Sequence, residues 1–290
     1  MSPVRCVVIG YASLDFKYAT EPFEGPGRTT LIRRPLHRPG GDPGAVAYFA
    51  RGLVRNGIPT DVVTWVGSDE HGDVFREHHR LSGVGVGGIV ASGSRSPTTR
   101  IFWPGGGEPV MFFDPGELDQ SLTAAQRALL GDARAVIVAV GPTEATAEAL
   151  SVVAADAKVM WVVKADPRSV TPELSARLAD RADVICHSGS ETEFLHRTCG
   201  LDVSKLVAGG RLVVETRGAQ GAVLRKPDGD IVLRPPEPVS AEDTTGAGDT
   251  FAAGLMARLL HDIEVTEAVQ GGCADACALL RSRTNRGDDA

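Results

Sequence analysis

The sequence predicts an α/β fold with a central, mostly parallel sheet. From Ala135 onward, apolar runs of strand length alternate with segments of helical periodicity, which is typical of a parallel sheet. The first apolar run, residues 4–9, has the composition of a strand covered on both faces. A chain of 290 residues suits one large domain of this class, or such a domain with a small accessory unit.

The bulk composition excludes several classes of protein. A net charge of −7 argues against a broad nucleic-acid-binding surface, and no apolar run reaches membrane-spanning length. The residues before the first strand are too few for a signal peptide, so we expect a cytoplasmic protein. The five cysteines are an odd, sparse set, which argues against a disulfide framework.

Asp15 lies just past the first strand. Open α/β sheets bind ligands beyond the carboxyl ends of their strands, so Asp15 is either a turn residue or an acceptor for substrate hydroxyls. Residues 16–39 show no helical pattern and predict strands of a small accessory sheet. Gly40, Gly41 and Asp42 then open a helix that runs to about Asn56, and the double glycine permits either a plain turn or close approach of a ligand.

A glycine-tipped hairpin is predicted from residues 98–103 and 110–113, which carry four aromatic side chains. These side chains either pack on the core or form a lid with residues 16–39. A closed lid would exclude water from a reaction that water could divert. The run Gly-Val-Gly-Val-Gly-Gly at 83–88 follows a helix and precedes a strand, so we interpret it as a turn rather than a dinucleotide site.

The most informative stretch is Asp-Thr-Thr-Gly-Ala-Gly-Asp-Thr-Phe at positions 243–251. It begins a strongly periodic helix, for which Thr245 is the expected N-cap. Glycines in a first helical turn cost stability but expose backbone amides to an anion. Asp249 would repel that anion unless it takes a proton from an attacking hydroxyl, a combination that suits phosphoryl transfer.

This nine-residue string resembles the C-terminal signature of the ribokinase/PfkB-type carbohydrate kinases. The resemblance implies that Asp249 is the catalytic base and that the amides of Gly246, Ala247 and Gly248 form an anion hole. It also implies that Asp15, Gly40, Gly41 and Asp42 bind the sugar. The family's N-terminal signature matches at Gly40, Gly41 and Ala47, with Ala45 where the family has an asparagine that contacts substrate.

Weaker motifs of the same family follow in order along the chain. Ser190 stands where the family has an asparagine, and Glu193 matches a glutamate of the magnesium and phosphate network. Ordinary helix capping accounts for these residues equally well. Thr216, Gly218 and Gly221 match a motif that lines the nucleotide site. Arg168 either reaches a phosphate or pairs with Asp166.

The resemblance implies a ribokinase-like three-layer α/β/α sandwich with a small β-sheet lid. The expected core comprises residues 1–15, 40–97 and 114–290, and the expected lid comprises residues 16–39 and 98–113. The expected reaction is ATP-dependent phosphorylation of a sugar hydroxyl, as in ribokinases and fructokinases. Nucleoside phosphorylation and non-catalytic ligand binding are the alternatives. ATP and Mg²⁺ are the implied cofactors, a monovalent cation is a further candidate, and a homodimer joined through the lids is expected. The chain has no Walker lysine motif, which excludes a P-loop kinase.

Overall fold

The computed structural model describes residues 5–105, 108–237 and 239–284. Several residues covered by the sequence predictions lie outside that description. Among them are the hairpin-tip residues Gly106 and Gly107, residue 4 of the predicted 4–9 strand, Pro238 in the segment before α8, and residues 285–290, which we expected to fray. The strands are β1 (Cys6–Ile9), β2 (Leu14–Thr20), β3 (Ile32–Pro35), β4 (Asp42–Pro43), β5 (Thr60–Gly67), β6 (Ile89–Arg95), β7 (Thr98–Pro104), β8 (Val110–Asp114), β9 (Glu117–Leu118), β10 (Ala135–Val138), β11 (Lys158–Val162), β12 (Val184–Ser188), β13 (Leu212–Thr216), β14 (Ala222–Arg225) and β15 (Ile231–Leu233). The helices are α1 (Val46–Arg55), α2 (Glu70–Leu81), α3 (Ala124–Gly131), α4 (Thr143–Val152), α5 (Pro172–Arg181), α6 (Glu191–Arg197), α7 (Val203–Ala208), α8 (Ala247–Leu260) and α9 (Val265–Thr284).

The main sheet contains ten of the described strands, in the order β15-β14-β13-β12-β11-β10-β1-β5-β6-β9. The strands from β13 to β6 run parallel, and β14, β15 and β9 are antiparallel additions at the edges. The predicted α/β class with a mostly parallel sheet is confirmed.

Two hydrophobic cores cover the two faces of this sheet. In β1, Cys6 and Val8 join the core built with α1, α8 and α9, whereas Val7 and Ile9 join the core built with α3, α4 and α5. This alternation is the two-residue period of a strand that is buried on both faces. The fold therefore has three layers, with helices above and below the sheet.

A second, five-stranded sheet has the order β3-β2-β7-β8, with β4 paired to β2. It draws on both predicted accessory segments, but it also includes Asp15 and Asp42, which are directly opposite each other in the β2/β4 register. The predicted hairpin is confirmed as the antiparallel pair β7/β8. The pleat places Asp15 and Lys17 on one face of this sheet, and Phe16 and Tyr18 on the other.

The N-terminal cap of α8 differs from the sequence prediction. Gly246, rather than Thr245, is the N-cap, with φ of 76° and no capping hydrogen bond from a side chain. A glycine is favoured here because the left-handed conformation is strained for residues with a Cβ atom.

Candidate active site

The turn before α8 is shaped by two glycines with different surroundings. A Cβ atom on Gly246 would lie 2.4 Å from ring atoms of Tyr48, so the backbone rests directly on that ring. A Cβ atom on Gly248 would meet nothing within 4 Å. One glycine therefore permits close packing inside the protein, and the other leaves the outer surface of the turn open to a ligand.

The amides of this turn are not equivalent. The Ala247 N–H donates to the Thr244 carbonyl at 3.2 Å, so it is engaged within the protein. Among the described residues, the amides of Gly246, Gly248 and Asp249 have no backbone acceptor. Free amides at a helix N-terminus, aided by the helix dipole, form an anion-binding site. Three of the four amides at positions 246–249 are thus available to an anion, and that of Ala247 is not.

Asp249 is half-buried in the first turn of α8. Burial raises the pKa of its carboxyl to about 6, and the negative charges of Glu191 and Asp15 add to the rise, while Lys164 opposes it. These influences place Asp15, Lys164 and Glu191 around Asp249. The pKa lies close to neutral pH, where a general base is most effective.

Asp15 is 4% exposed and belongs to a short hydroxyl relay. Ser13 Oγ donates to Asp15 Oδ1 at 2.6 Å and lies 2.6 Å from Thr99 Oγ1. Because Ser13 has only one hydroxyl proton, Thr99 must donate to Ser13. Burial raises the pKa of Asp15 to about 6, and the hydrogen bond from Ser13 and the charge of Lys17 oppose that rise.

The glycines before α1 shape the backbone beside Asp15, and Gly44 makes the close approach. Gly40 and Gly41 adopt the left-handed conformation. Their φ angles are 83° and 90°, and a Cβ atom on Gly41 would lie 2.9 Å from Leu14 Cγ. A Cβ atom on Gly44 would lie 2.0 Å from Asp15 Oδ2. Ala45, at the asparagine position of the family motif, caps α1 with φ of 47° and no side-chain hydrogen bond. That backbone conformation is tolerated better by asparagine than by alanine.

Asp42 and Asp243 are joined by a buried lysine. Lys17 Nζ lies 3.0 Å from Asp42 Oδ2 and 2.7 Å from Asp243 Oδ2, and its side chain is 2% exposed. Arg283 Nη1 donates to the Asp243 carbonyl at 2.8 Å, and its Nη2 donates to Tyr48 Oη at 3.2 Å. Asp42, which we expected to contact substrate, is thus already neutralised by the protein.

The predicted nucleotide-binding residues follow the ends of neighbouring strands. Thr216 ends β13 and is paired in register with Ser188 at the end of β12. Ser188 Oγ lies 2.8 Å from Ser190 Oγ. Gly218 and Gly221 follow with φ of 55° and 94°, and a Cβ atom on Gly221 would lie 2.1 Å from the Leu233 carbonyl oxygen.

Two predicted residues are engaged elsewhere. The side chain of Glu193 is 67% exposed and pairs with Arg197 at 3.0 Å. The side chain of Arg168 is 81% exposed and pairs with Asp166 at 3.1 Å, which was the alternative to a phosphate contact. In this conformation, neither side chain acts on Asp249.

Two residues that influence the pKa of Asp249 were not predicted from the sequence. Glu191 is 8% exposed and accepts from the Ser188 amide at 2.7 Å and from Ser188 Oγ at 2.9 Å. Lys164 is exposed beyond the end of β11. Both follow the carboxyl ends of central strands, and that position could have identified them from the sequence.

The sequence is similar to known kinases over most of its length. The model of the pfkB family carbohydrate kinases matches residues 4–287. The bifunctional ribokinase/ribose-5-phosphate isomerase A of Fructilactobacillus sanfranciscensis is 26% identical over 278 residues, which are 89% of this chain and 49% of that protein. The chain thus spans about half the length of that relative. A fructokinase of Rhizobium leguminosarum bv. trifolii is 29% identical over 244 residues, which are 77% of this chain and 73% of the relative.

The fold is also found in solved structures. The nucleoside kinase of Methanocaldococcus jannaschii, described as an archaeal member of the ribokinase family, superposes with a TM-score of 0.78. The match covers 99% of this chain and 98% of that one at 16% identity, so it establishes the fold alone. The family match extends over nearly the whole chain. The chain therefore belongs to the pfkB family of carbohydrate kinases, which are phosphotransferases with a hydroxyl acceptor.

Proposed function

We propose that this chain is an ATP-dependent sugar kinase in which Asp249 is the general base. The observation that carries the proposal is the position of Asp249 in a turn whose free amides suit an anion. A carboxylate with a pKa of about 6 at that position can accept a proton while the amides hold phosphoryl oxygens.

The chemistry follows from these positions. Asp15 accepts hydrogen bonds from substrate hydroxyls and fixes the acceptor beside Asp249. Asp249 takes the proton of the attacking hydroxyl as its oxygen bonds to the γ-phosphorus, and the bond from that phosphorus to the ADP oxygen breaks. The amides of Gly246, Gly248 and Asp249 stabilise the charge on the transferred group, since phosphoryl transfer depends chiefly on positioning and electrostatics.

We assign the ends of β12 and β13 to the nucleotide, with Ser190, Thr216, Gly218 and Gly221 along its path. Among the described residues, no group of three or more His, Cys, Asp or Glu side chains is arranged to hold a metal ion. Proteins usually hold Mg²⁺ through one or two carboxylates, waters and substrate phosphates. Glu191 and Glu193 are the acidic candidates beside the nucleotide, and bound Mg²⁺ would neutralise phosphate charge there.

The second sheet suits a lid that also joins two subunits. Its face opposite Asp15 is aromatic: Tyr18 and Phe102 stack with centroids 5.5 Å apart, and Phe112 packs edge-on to Phe102. Phe112 is 61% exposed. An exposed aromatic face on a small sheet is a typical association surface. We propose that two lids pair through it to form a homodimer.

One observation favours a nucleoside as the second candidate acceptor. Phe113 lies on the Asp15 face of the lid, is 37% exposed, and has its ring 5.5 Å from that of Tyr11, which follows β1. Adjacent aromatic rings beside the acceptor site could stack on a nucleobase. The sugar of a nucleoside would still present hydroxyls to Asp15.

A substrate screen tests the proposal. ADP release would be measured with MgATP and a panel of sugars and nucleosides, beside thermal shifts for each compound with and without ATP. We expect release that depends on one class of acceptor and is lost in Asp249→Asn. A compound that raises the melting temperature without any ADP release would instead indicate ligand binding without catalysis.

Among the described residues, no helix combines the length and apolarity that a bilayer crossing requires.

A further inference from the structure

A second cavity lies beside the catalytic turn and is not used by the proposed reaction. Its volume is about 790 Å³, within the range of about 300–1,000 Å³ that is usual for small-molecule sites. The walls come from α1, the segment after β3, the loop before α8 and the end of α9. Asp15 and Asp249 do not line it. Tyr48 does, and its ring also supports Gly246, so the cavity and the anion-binding turn share this side chain.

The cavity is cationic although the protein is acidic. Six of its lining side chains are permanently or normally positive: Lys17, Arg34, Arg38, Arg51, Arg55 and Arg283. Three are carboxylates: Asp42, Glu242 and Asp243. The whole chain carries a net charge of −7, so this excess of positive charge is local. A concave, like-charged wall concentrates the electrostatic potential and attracts small ions of opposite charge.

The three carboxylates of the cavity already form ion pairs with some of its positively charged side chains. Lys17 bridges Asp42 and Asp243, and Arg34 pairs with Glu242 at 2.6 Å. Arg38 lies 4.0 Å from Asp42, and Arg283 lies 3.5 Å from Asp243. Among the described residues, Arg51 and Arg55 form no ion pair. The positive charge that remains for a ligand is therefore centred on α1.

Arg51 is held in the cavity wall by contacts with neutral groups. Its Nε donates to the Ala47 carbonyl at 3.2 Å, its Nη2 donates to the Pro43 carbonyl at 3.2 Å, and its guanidinium lies 4.9 Å from the Tyr48 ring centroid. Burial lowers its pKa and Arg55 adds to that fall, while Tyr48 and Asp42 oppose it. His78, on the neighbouring α2, also has a lowered pKa, first through burial and then through Arg38 and Arg51. These groups repel one another in the absence of an anion.

We propose that this cavity binds a small phosphorylated metabolite, whose phosphate group is held by Arg51 and Arg55. Guanidinium groups form charge-assisted, often bidentate hydrogen bonds to phosphate, and the two arginines of α1 suit a doubly charged group. Tyr48 and the Lys17–Asp243 pair, which support the anion-binding turn, line the same cavity.

Calorimetric titration with inorganic pyrophosphate tests the site. The wild-type chain is compared with Arg51→Gln/Arg55→Gln and with the charge-matched control Arg134→Gln/Arg177→Gln, whose arginines lie outside the cavity. Arg177, like Arg51, donates to a backbone carbonyl, so the two pairs of changes are comparable. Loss of charge-assisted contacts worth about 1.5–3 kcal/mol each corresponds to a loss of at least about tenfold in affinity.

We expect wild type and control to share a pyrophosphate-binding event that the cavity variant loses or binds at least about tenfold more weakly. Arg55→Gln alone, which removes no hydrogen bond among the described residues, should weaken the same event and guards against misfolding of the double variant. Equal binding by wild type and the cavity variant would overturn the proposal. So would equal weakening in the control, or no pyrophosphate binding by the wild type.

Discussion

Lys17 Nζ lies 2.7 Å from Asp243 Oδ2, and the two residues are 226 positions apart in the chain. The pair ties β2 of the lid to the loop before α8. Burial favours the neutral form of Lys17, but Tyr48, Asp243 and Asp42 outweigh it and raise its pKa. Burial likewise opposes the charge of Asp243, whose pKa is nevertheless lowered by Lys17 and Arg283. The pair is therefore ionised and links the substrate-binding strand to the anion-binding turn.

Lys17→Met is expected to destabilise the fold by about 3–5 kcal/mol, because it leaves two buried carboxylates without their cation. Urea unfolding measures the change. The control is Arg134→Gln, which removes an ion pair to Asp156 between side chains 66% and 72% exposed, and should cost about 0–1 kcal/mol. Similar losses in the two variants would show that the Lys17 pair is as weak as a surface ion pair.

Asp15→Ala is expected to weaken acceptor binding by about 1.5–3 kcal/mol, the range for hydrogen bonds to a charged group. ATP affinity should hardly change, since Asp15 lies on the acceptor side of Asp249. Calorimetry with each ligand separately measures both effects. An equal loss of affinity for both ligands would assign Asp15 a structural role.

The pH dependence of kcat/KM should show an acid limb centred near pH 6, because the pKa values of Asp15 and Asp249 are both raised to about 6. Activity rises with pH as the two carboxyls lose their protons, and the slope of log(kcat/KM) approaches about 2 on the acid side if both must ionise. Rates over a range of pH measure it. A limb near pH 4, the region of an ordinary carboxyl, would contradict the environment described for Asp249.

The raised pKa of Asp249 also affects the stability of the fold. A folded-state pKa above the ordinary carboxyl value of 3.8 means that the folded chain holds more protons between that value and about 6. The contribution of Asp249 to stability is therefore lost as pH rises through this window. Asp249→Asn should be more stable than wild type at pH 7, with the advantage disappearing below pH 4; thermal unfolding at the two pH values compares them.

Dimer formation through the aromatic face of the lid can be tested with a control substitution at the neighbouring residue. Phe112 and Met111 are 61% and 55% exposed and point to opposite faces of the lid. If the lids pair, Phe112→Gln should dissociate a dimer that Met111→Gln leaves intact. Light scattering at micromolar concentration distinguishes them. A wild-type mass near 30.4 kDa would exclude a stable dimer.

Much of the fold could be predicted because burial leaves a periodic trace in sequence. The central strands β1, β10 and β11 are apolar runs, and the large apolar side chains of α8 recur at helical spacing, although burial extends around most of that helix. The antiparallel edge strands β14 and β15 received no bounds from the sequence. The strand β14 ends on the charged Arg225 and β15 has only three residues, so neither stands out as a continuous apolar run of strand length.

The site was only partly predictable for a different reason. Asp249 and the glycines around it lie in one local turn, so their chemistry can be inferred from neighbouring residues. The Lys17–Asp243 pair and the influence of Glu191 on Asp249 depend on contacts between distant segments, which no local pattern records. The N-cap was misassigned because Thr245 has a suitable side chain, whereas the left-handed backbone at Gly246 determines where the helix begins.

The role of Asp249 is tested most directly by single-turnover phosphotransfer with Asp249→Asn. The change keeps the size of the side chain and removes its ability to accept the hydroxyl proton. We expect ATP and acceptor to bind with nearly wild-type affinity, and phosphoryl transfer to slow by about 10²–10⁴-fold, the range for loss of a general base. Transfer at a rate close to wild type would contradict the assignment of Asp249 as the catalytic base.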